Sequence, residues 1–182
     1  MLLGWSRCFA MNTSCHRRVA GVTIVELMIT LVVLSVLLSV AVPAFNNTIK
    51  ENRLVSAQSR LISFFTFARS VALTRAADVA ICPSEDAETC DNDWSEGWIV
   101  FIDADLDGDR GPSEELLRVQ QDDTELTITE AGALGVIRFS TVGIPNATAS
   151  FTIEDPDNLA PTRLVSVSAT GLASNSAALT CP

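Results

Sequence analysis

Glu26 is the one ionisable residue in an otherwise apolar run from Gly21 to Phe45, GVTIVELMITLVVLSVLLSVAVPAF. A carboxylate at the centre of a spanning helix costs about 2.5–3.5 kcal/mol, and less near an interface, so an acid retained there marks a functional site. A second group of acids has a spacing with its own chemistry. Asp103, Asp105 and Asp107 alternate, Gly108 follows, and Glu114 closes the run, which fits the calcium-loop pattern D-x-[DN]-x-[DN]-G-x5-E. Calcium takes six to eight hard oxygens, and alternating aspartates with a distant glutamate can wrap them around one ion. Gly108 would supply the sharp turn, and Asp109 adds a further candidate ligand. Calcium is therefore the candidate cofactor, in a structural role. The competing reading is a solvated acidic hairpin. It is favoured by the strand that precedes the loop, by Arg110 where such loops carry an apolar residue, and by Pro112 at the exit.

These residues need elements to hold them. The apolar run is about as long as the ~20 residues a membrane-spanning helix requires. A secretory signal would have a shorter core ending in a small-residue cleavage site. Arg17 and Arg18 precede the run and would remain cytoplasmic. Beyond Pro43 the helical period persists: Ile49, Leu54, Ala57, Leu61, Phe65, Ala68 and Ala72 outline one apolar stripe. Arg53 and Arg60 lie off it, on the solvent side. From Val22 to about Thr74 such a helix would be roughly 75–80 Å long. Its first half is apolar all round and its second half is amphipathic, as suits a helix that leaves a membrane to pack on a head.

Short β-branched runs follow, at Val79–Cys82, Trp98–Ile102, Leu116–Val119, Leu126–Thr129, Val136–Phe139, Ser150–Ile153 and Leu164–Val167. Gly132, Gly135, Gly143, Pro145, Pro156 and Gly171 punctuate them. No helix-period segment separates these strands, so antiparallel hairpins are expected. The fold class is α+β: a long N-terminal helix, membrane-spanning then amphipathic, packed on one antiparallel β head. The expected boundaries are residues 1–21, 22–45, 46–77 and 78–182.

Arg17-Arg18, Gly21, Glu26 and Pro43 together resemble the class III signal of type IV pilins and type II secretion pseudopilins. An ordinary membrane anchor explains the length and the arginines, but not that combination. Val22 stands where the family usually carries Phe or Met. The head is similar to the GspH/FimT group of minor pilins and pseudopilins. The resemblance is carried by Phe67-Ala68-Arg69-Ser70, Cys82-Pro83-Ser84 with Cys90, Trp94, and Gly97-Trp98-Ile99-Val100-Phe101 with Asp103. It covers about Gly21 to Val119 and thins to a loose echo around Arg163–Gly171.

The resemblance implies that a prepilin peptidase cuts between Gly21 and Val22 and methylates the new N-terminus. Residues 1–21 would be the leader, with Met1 or Met11 as its start. The subunit would wait in the inner membrane as a single-pass protein with its head in the periplasm. Glu26 would then direct its incorporation, through the assembly platform, into a filament of major and minor pilins or pseudopilins. A minor pilin of a type IV pilus, helping to prime and cap assembly, is the first reading; a GspH-type pseudopilin of type II secretion is the second. Composition does not separate them.

Some FimT-like pilins capture DNA, with a C-terminal Gly-Arg-x-Arg as the family signature. Here the matching place reads Gly171-Leu172-Ala173-Ser174, without either arginine. Cleavage would also remove Arg7, Arg17 and Arg18 and no acid, taking the formal charge from −10 to −13. DNA affinity comes largely from cations on phosphates, so this chain is poorly suited to nucleic acid. The sole histidine, His16, leaves with the leader, which rules out histidine-based triads in the mature chain. No phosphate loop and no zinc spacing appears, and an enzyme is not expected. Cys82, Cys90 and Cys181 would remain in an oxidising compartment. Cys82 and Cys90 bracket a short polar loop and are the first candidate pair; Cys82–Cys181 and Cys90–Cys181 are the alternatives.

Overall fold

The computed structural model of the protein describes residues 21–121, 126–157 and 159–176, without the side chains of Val40, Pro43 and Ala44. One helix, α1 (Ile24–Arg75), is followed by eight strands. They are β1 (Val79–Pro83), β2 (Gly97–Ile102), β3 (Leu116–Gln121), β4 (Thr127–Glu130), β5 (Ile137–Phe139), β6 (Ala149–Glu154), β7 (Arg163–Val167) and β8 (Ala173–Ser176). The chain divides into two compact units, one ending at Ala41 and the other starting at Val42.

In the first unit the apolar side chains of α1 are exposed on every side, from Ile24 and Val25 through Leu31 and Val32 to Leu37 and Leu38. Its hydroxyls satisfy themselves within the helix: Thr30, Ser35 and Ser39 each donate to the carbonyl three residues earlier, at 2.7–2.8 Å. Among the described residues no helix is long and apolar enough to cross a membrane. The span expected over residues 22–45 includes Val40, Pro43 and Ala44, whose side chains lie outside the description.

The second unit is built on two antiparallel four-stranded sheets, ordered β3-β2-β1-β5 and β4-β6-β7-β8. Every expected strand is present. The unexpected one is β8, which pairs with β7 as a sheet edge. The helical stripe packs against both sheets at once. Leu54, Ala57, Leu61, Phe65, Ala68 and Ala72 are fully buried. They share one core with Val79, Ile81, Trp98, Val100 and Phe139 of the first sheet and Phe151, Ile153, Val165 and Val167 of the second. Phe65 is the hinge of this arrangement, with its ring 5.2 Å from Phe151, 6.3 Å from Trp94 and 6.5 Å from Phe139. Ile49, expected on the stripe, is 37 % exposed, whereas Phe64 and Gln58 are buried. A helix seated against two sheets needs a wider contact face than one stripe provides. Arg53 is exposed as expected, but Arg60 is half-buried.

The first sheet is covered on its other face too. Alternate residues Ala80, Cys82, Ile99 and Phe101 form a second buried cluster with Ala87, Cys90, Leu116 and Val136. The loop after β1 covers it through Ala87, and the acidic β2–β3 connection lies against its rim, where Gly108 meets Val136 and Cys90.

Candidate functional site

At the start of α1, Thr23 caps the helix: its Oγ1 accepts the Glu26 N–H at 3.2 Å, and its carbonyl accepts the Leu27 N–H at 3.1 Å. Thr23-Ile24-Val25-Glu26 thus matches the sequence of a capping box. Glu26 sits in the first helical turn, where the helix dipole favours an anion. Its side chain is exposed, as are Gly21 and Val22. A Cβ placed on Gly21 would meet nothing within 4 Å. The local fold therefore gives no reason for glycine at that position. The Thr23 hydroxyl and carbonyl account for the cap, and the Glu26 carboxylate is left exposed to solvent.

The acidic loop joins β2 to β3. A carboxylate oxygen from each of Asp103, Asp105 and Glu114 falls within 4.8 Å of the others. Asp107 and Asp109 are outside that group. Asp103 is buried, and Arg138 of β5 donates to its Oδ2 at 2.9 Å and to the Leu106 carbonyl at 2.6 Å. Asp103 Oδ1 is buried without a hydrogen-bond partner. Glu114 reaches back across the loop, accepting the Ala104 N–H at 2.7 Å and the Gly111 N–H at 2.9 Å. Gly108 turns the chain at φ +87°, and a Cβ there would press on Val136 at 3.0 Å. Asp107 accepts the Asp109 N–H, and both line a separate surface cavity beside the cystine. Arg138 was missed from sequence, because a lone arginine on a three-residue strand carries no signal of what it faces.

Cys82 and Cys90 form a disulfide with Cα atoms 5.6 Å apart. Cys181 lies outside the described residues. Inside the loop they close, Asp86 accepts the N–H groups of Glu88 and Thr89 and the hydroxyls of Thr89 and Ser84. The Thr89 amide is the strongest of these effects, and together they hold the Asp86 carboxyl far below the ordinary carboxylate range. The cystine loop and the acidic loop touch: Arg110 donates to the Glu88 carbonyl at 2.9 Å, and Cys90 Sγ lies 3.8 Å from the Gly108 carbonyl.

The place matched to the DNA-capture signature is the β7–β8 hairpin. Gly171 adopts φ +78°, and a Cβ would collide with the Gly143 carbonyl and press on Arg69. Arg69 itself donates to that carbonyl at 3.1 Å. Packing of two hairpins on the helix accounts for this glycine.

The family model described as type II transport protein GspH matches residues 57–171. The chain belongs to the GspH family. A second model, the prokaryotic N-terminal methylation motif, matches residues 16–42. Among solved structures, this GspH-family chain is similar to the type IV minor pilin FimU of Pseudomonas aeruginosa (strain PAO1) in two crystal forms. The first has a TM-score of 0.58 at 23% identity, covering 73% of this chain and 95% of FimU. The second has a TM-score of 0.53 at 21% identity, covering 71% and 97%. No curated protein matches the chain. The family and the shared fold are those of structural pilins, with a prepilin-type signal at the N-terminus. Partners of the family are other pilins or pseudopilins.

Proposed function

We propose that the protein is a minor pilin that helps prime and cap a type IV pilus-like filament. The observation that carries this reading is the N-terminal arrangement: Gly21, which the fold does not need, followed by an exposed Glu26 in the first turn of an apolar helix. Prepilin peptidase cleaves between Gly21 and Val22, and the methylated amine of Val22 becomes the start of the chain. Before assembly the helix rests in the inner membrane with the head in the periplasm. The internally bonded hydroxyls of Thr30, Ser35 and Ser39 suit such a setting, where no water is available to polar groups.

In the filament, Glu26 pairs with the charged N-terminus of an adjacent subunit. Each charge offsets the desolvation of the other, which neither could bear alone. The first-turn position keeps the acid level with the helix start, where a neighbour's amine can reach it. Likeness to a type IV minor pilin favours the pilus. The type II transport description of the matching family favours the second reading, a GspH-type tip pseudopilin.

A strain deleted for the gene, scored in parallel for surface pili and for release of folded exoproteins, decides between them. Lost pili with intact secretion is the expected result. Lost secretion with intact pili would establish the second reading, and no effect on either would overturn both.

A further inference from the structure

We propose that the β2–β3 loop is a calcium site in which Asp103, Asp105 and Glu114 supply the carboxylate ligands. Three independent features converge on it. The spacing of residues 103–114 places acids at the first, third, fifth and twelfth positions of a calcium loop, and Gly108 at the sixth. The fold closes that loop so that oxygens of its first, third and last acids come within 4.8 Å of one another. Asp103, finally, is only 1 % exposed and keeps one oxygen, Oδ1, buried without a donor. Burying an ionised carboxylate with an unsatisfied oxygen is costly unless a cation completes it.

Arg138 does not complete it. Its guanidinium takes Oδ2 and the Leu106 carbonyl, which fixes Asp103 from the β5 side and leaves Oδ1 without a donor. Glu114 remains competent as a ligand, because each of its oxygens accepts one backbone N–H and an ionised carboxylate has about four lone-pair sites. Asp105 is exposed, so the ion has a route in from solvent. Asp109 occupies the seventh position, from which such loops contribute a backbone carbonyl. Among the described residues no cation pairs with Asp105, Asp107, Asp109 or Glu114. A divalent ion would therefore relieve repulsion in the same stroke. Magnesium is disfavoured, since it demands six near-octahedral ligands at short range, which a flexible loop of carboxylates and carbonyls does not impose.

The consequence is mechanical. The ion would bind the end of β2 to the start of β3 and stiffen the connection at the rim of the outer cluster of the first sheet, against which the cystine loop also rests. With one ligand exposed to solvent and few carboxylates, affinity in the range of extracellular modules is expected, about 0.1–1 mM.

The test uses the full-length chain in detergent micelles, dialysed against labelled calcium and melted with either chelator or calcium present. Wild type should bind one ion. At about tenfold above the dissociation constant it should melt about 3–5 °C higher than in chelator. Asp105→Asn changes an exposed residue, so it should match the wild-type melting temperature in chelator while binding calcium at least tenfold more weakly. Arg138→Lys, which keeps the charge on Asp103, should retain the calcium shift. No bound ion, or an equal shift with magnesium or in Asp105→Asn, would overturn the site.

Discussion

At the residue scale, function and architecture make different demands on similar side chains. Glu26 and Asp86 are both exposed acids, and Asp86 is held by the backbone N–H groups of Glu88 and Thr89. Because its folded pKa lies below the ordinary value of 3.8, Asp86 contributes stability in full above that pH. The contribution fades as pH falls below 3.8 toward the depressed folded value. An NMR titration of the Thr89 amide should therefore show a midpoint well below that of an unstructured aspartate, and Asp86→Asn should abolish the transition. A midpoint at the ordinary value would remove the hydrogen-bonded account of the cystine loop. Lys50, the only lysine, reports the opposite sign. Pairing first with Asp157 and then with Asp155 raises its pKa, so that clamp persists through neutral pH.

At the element scale, the second half of α1 is the keel on which both sheets are laid. Phe65 meets one ring from the first sheet, one from the second and Trp94 from the loop between β1 and β2. Phe65→Ala should cost about 3–5 kcal/mol in urea unfolding, since neither sheet can close the cavity without moving the other. Phe45→Ala, at a site 66 % exposed, should stay within about 0.5 kcal/mol. Comparable losses would mean that the head does not rest on the helix through Phe65.

The stripe from Leu54 to Ala72 was legible because its period is physical, and so were the strands rich in Val, Ile and Phe. Two features were not. The edge strand β8, Ala173-Ser174-Asn175-Ser176, carries no β-branched residue and forms because β7 offers it a partner. The buried outer face of the first sheet was hidden as well. VAICP and GWIVF are apolar at every position, so they show no alternation to say which face needs a roof. In the acidic loop the spacing of Asp103, Asp105 and Glu114 was legible, while the intrusion of Arg138 depends on tertiary placement alone.

At the scale of the whole molecule, an apolar half-helix with unused side chains is joined in sequence to a head whose own core is complete. The large apolar side chains from Ile24 to Leu38 are exposed. Apolar surface of this extent marks a site of membrane or protein contact. Under the proposed function, packing within the filament covers that half-helix and displays the head.

The most direct measurement is mass spectrometry of the chain recovered from sheared surface filaments. The account predicts a substoichiometric subunit that begins at an N-methylated Val22. A precursor still carrying residues up to Gly21, or a mature chain found in membranes and absent from intact filaments, would contradict it.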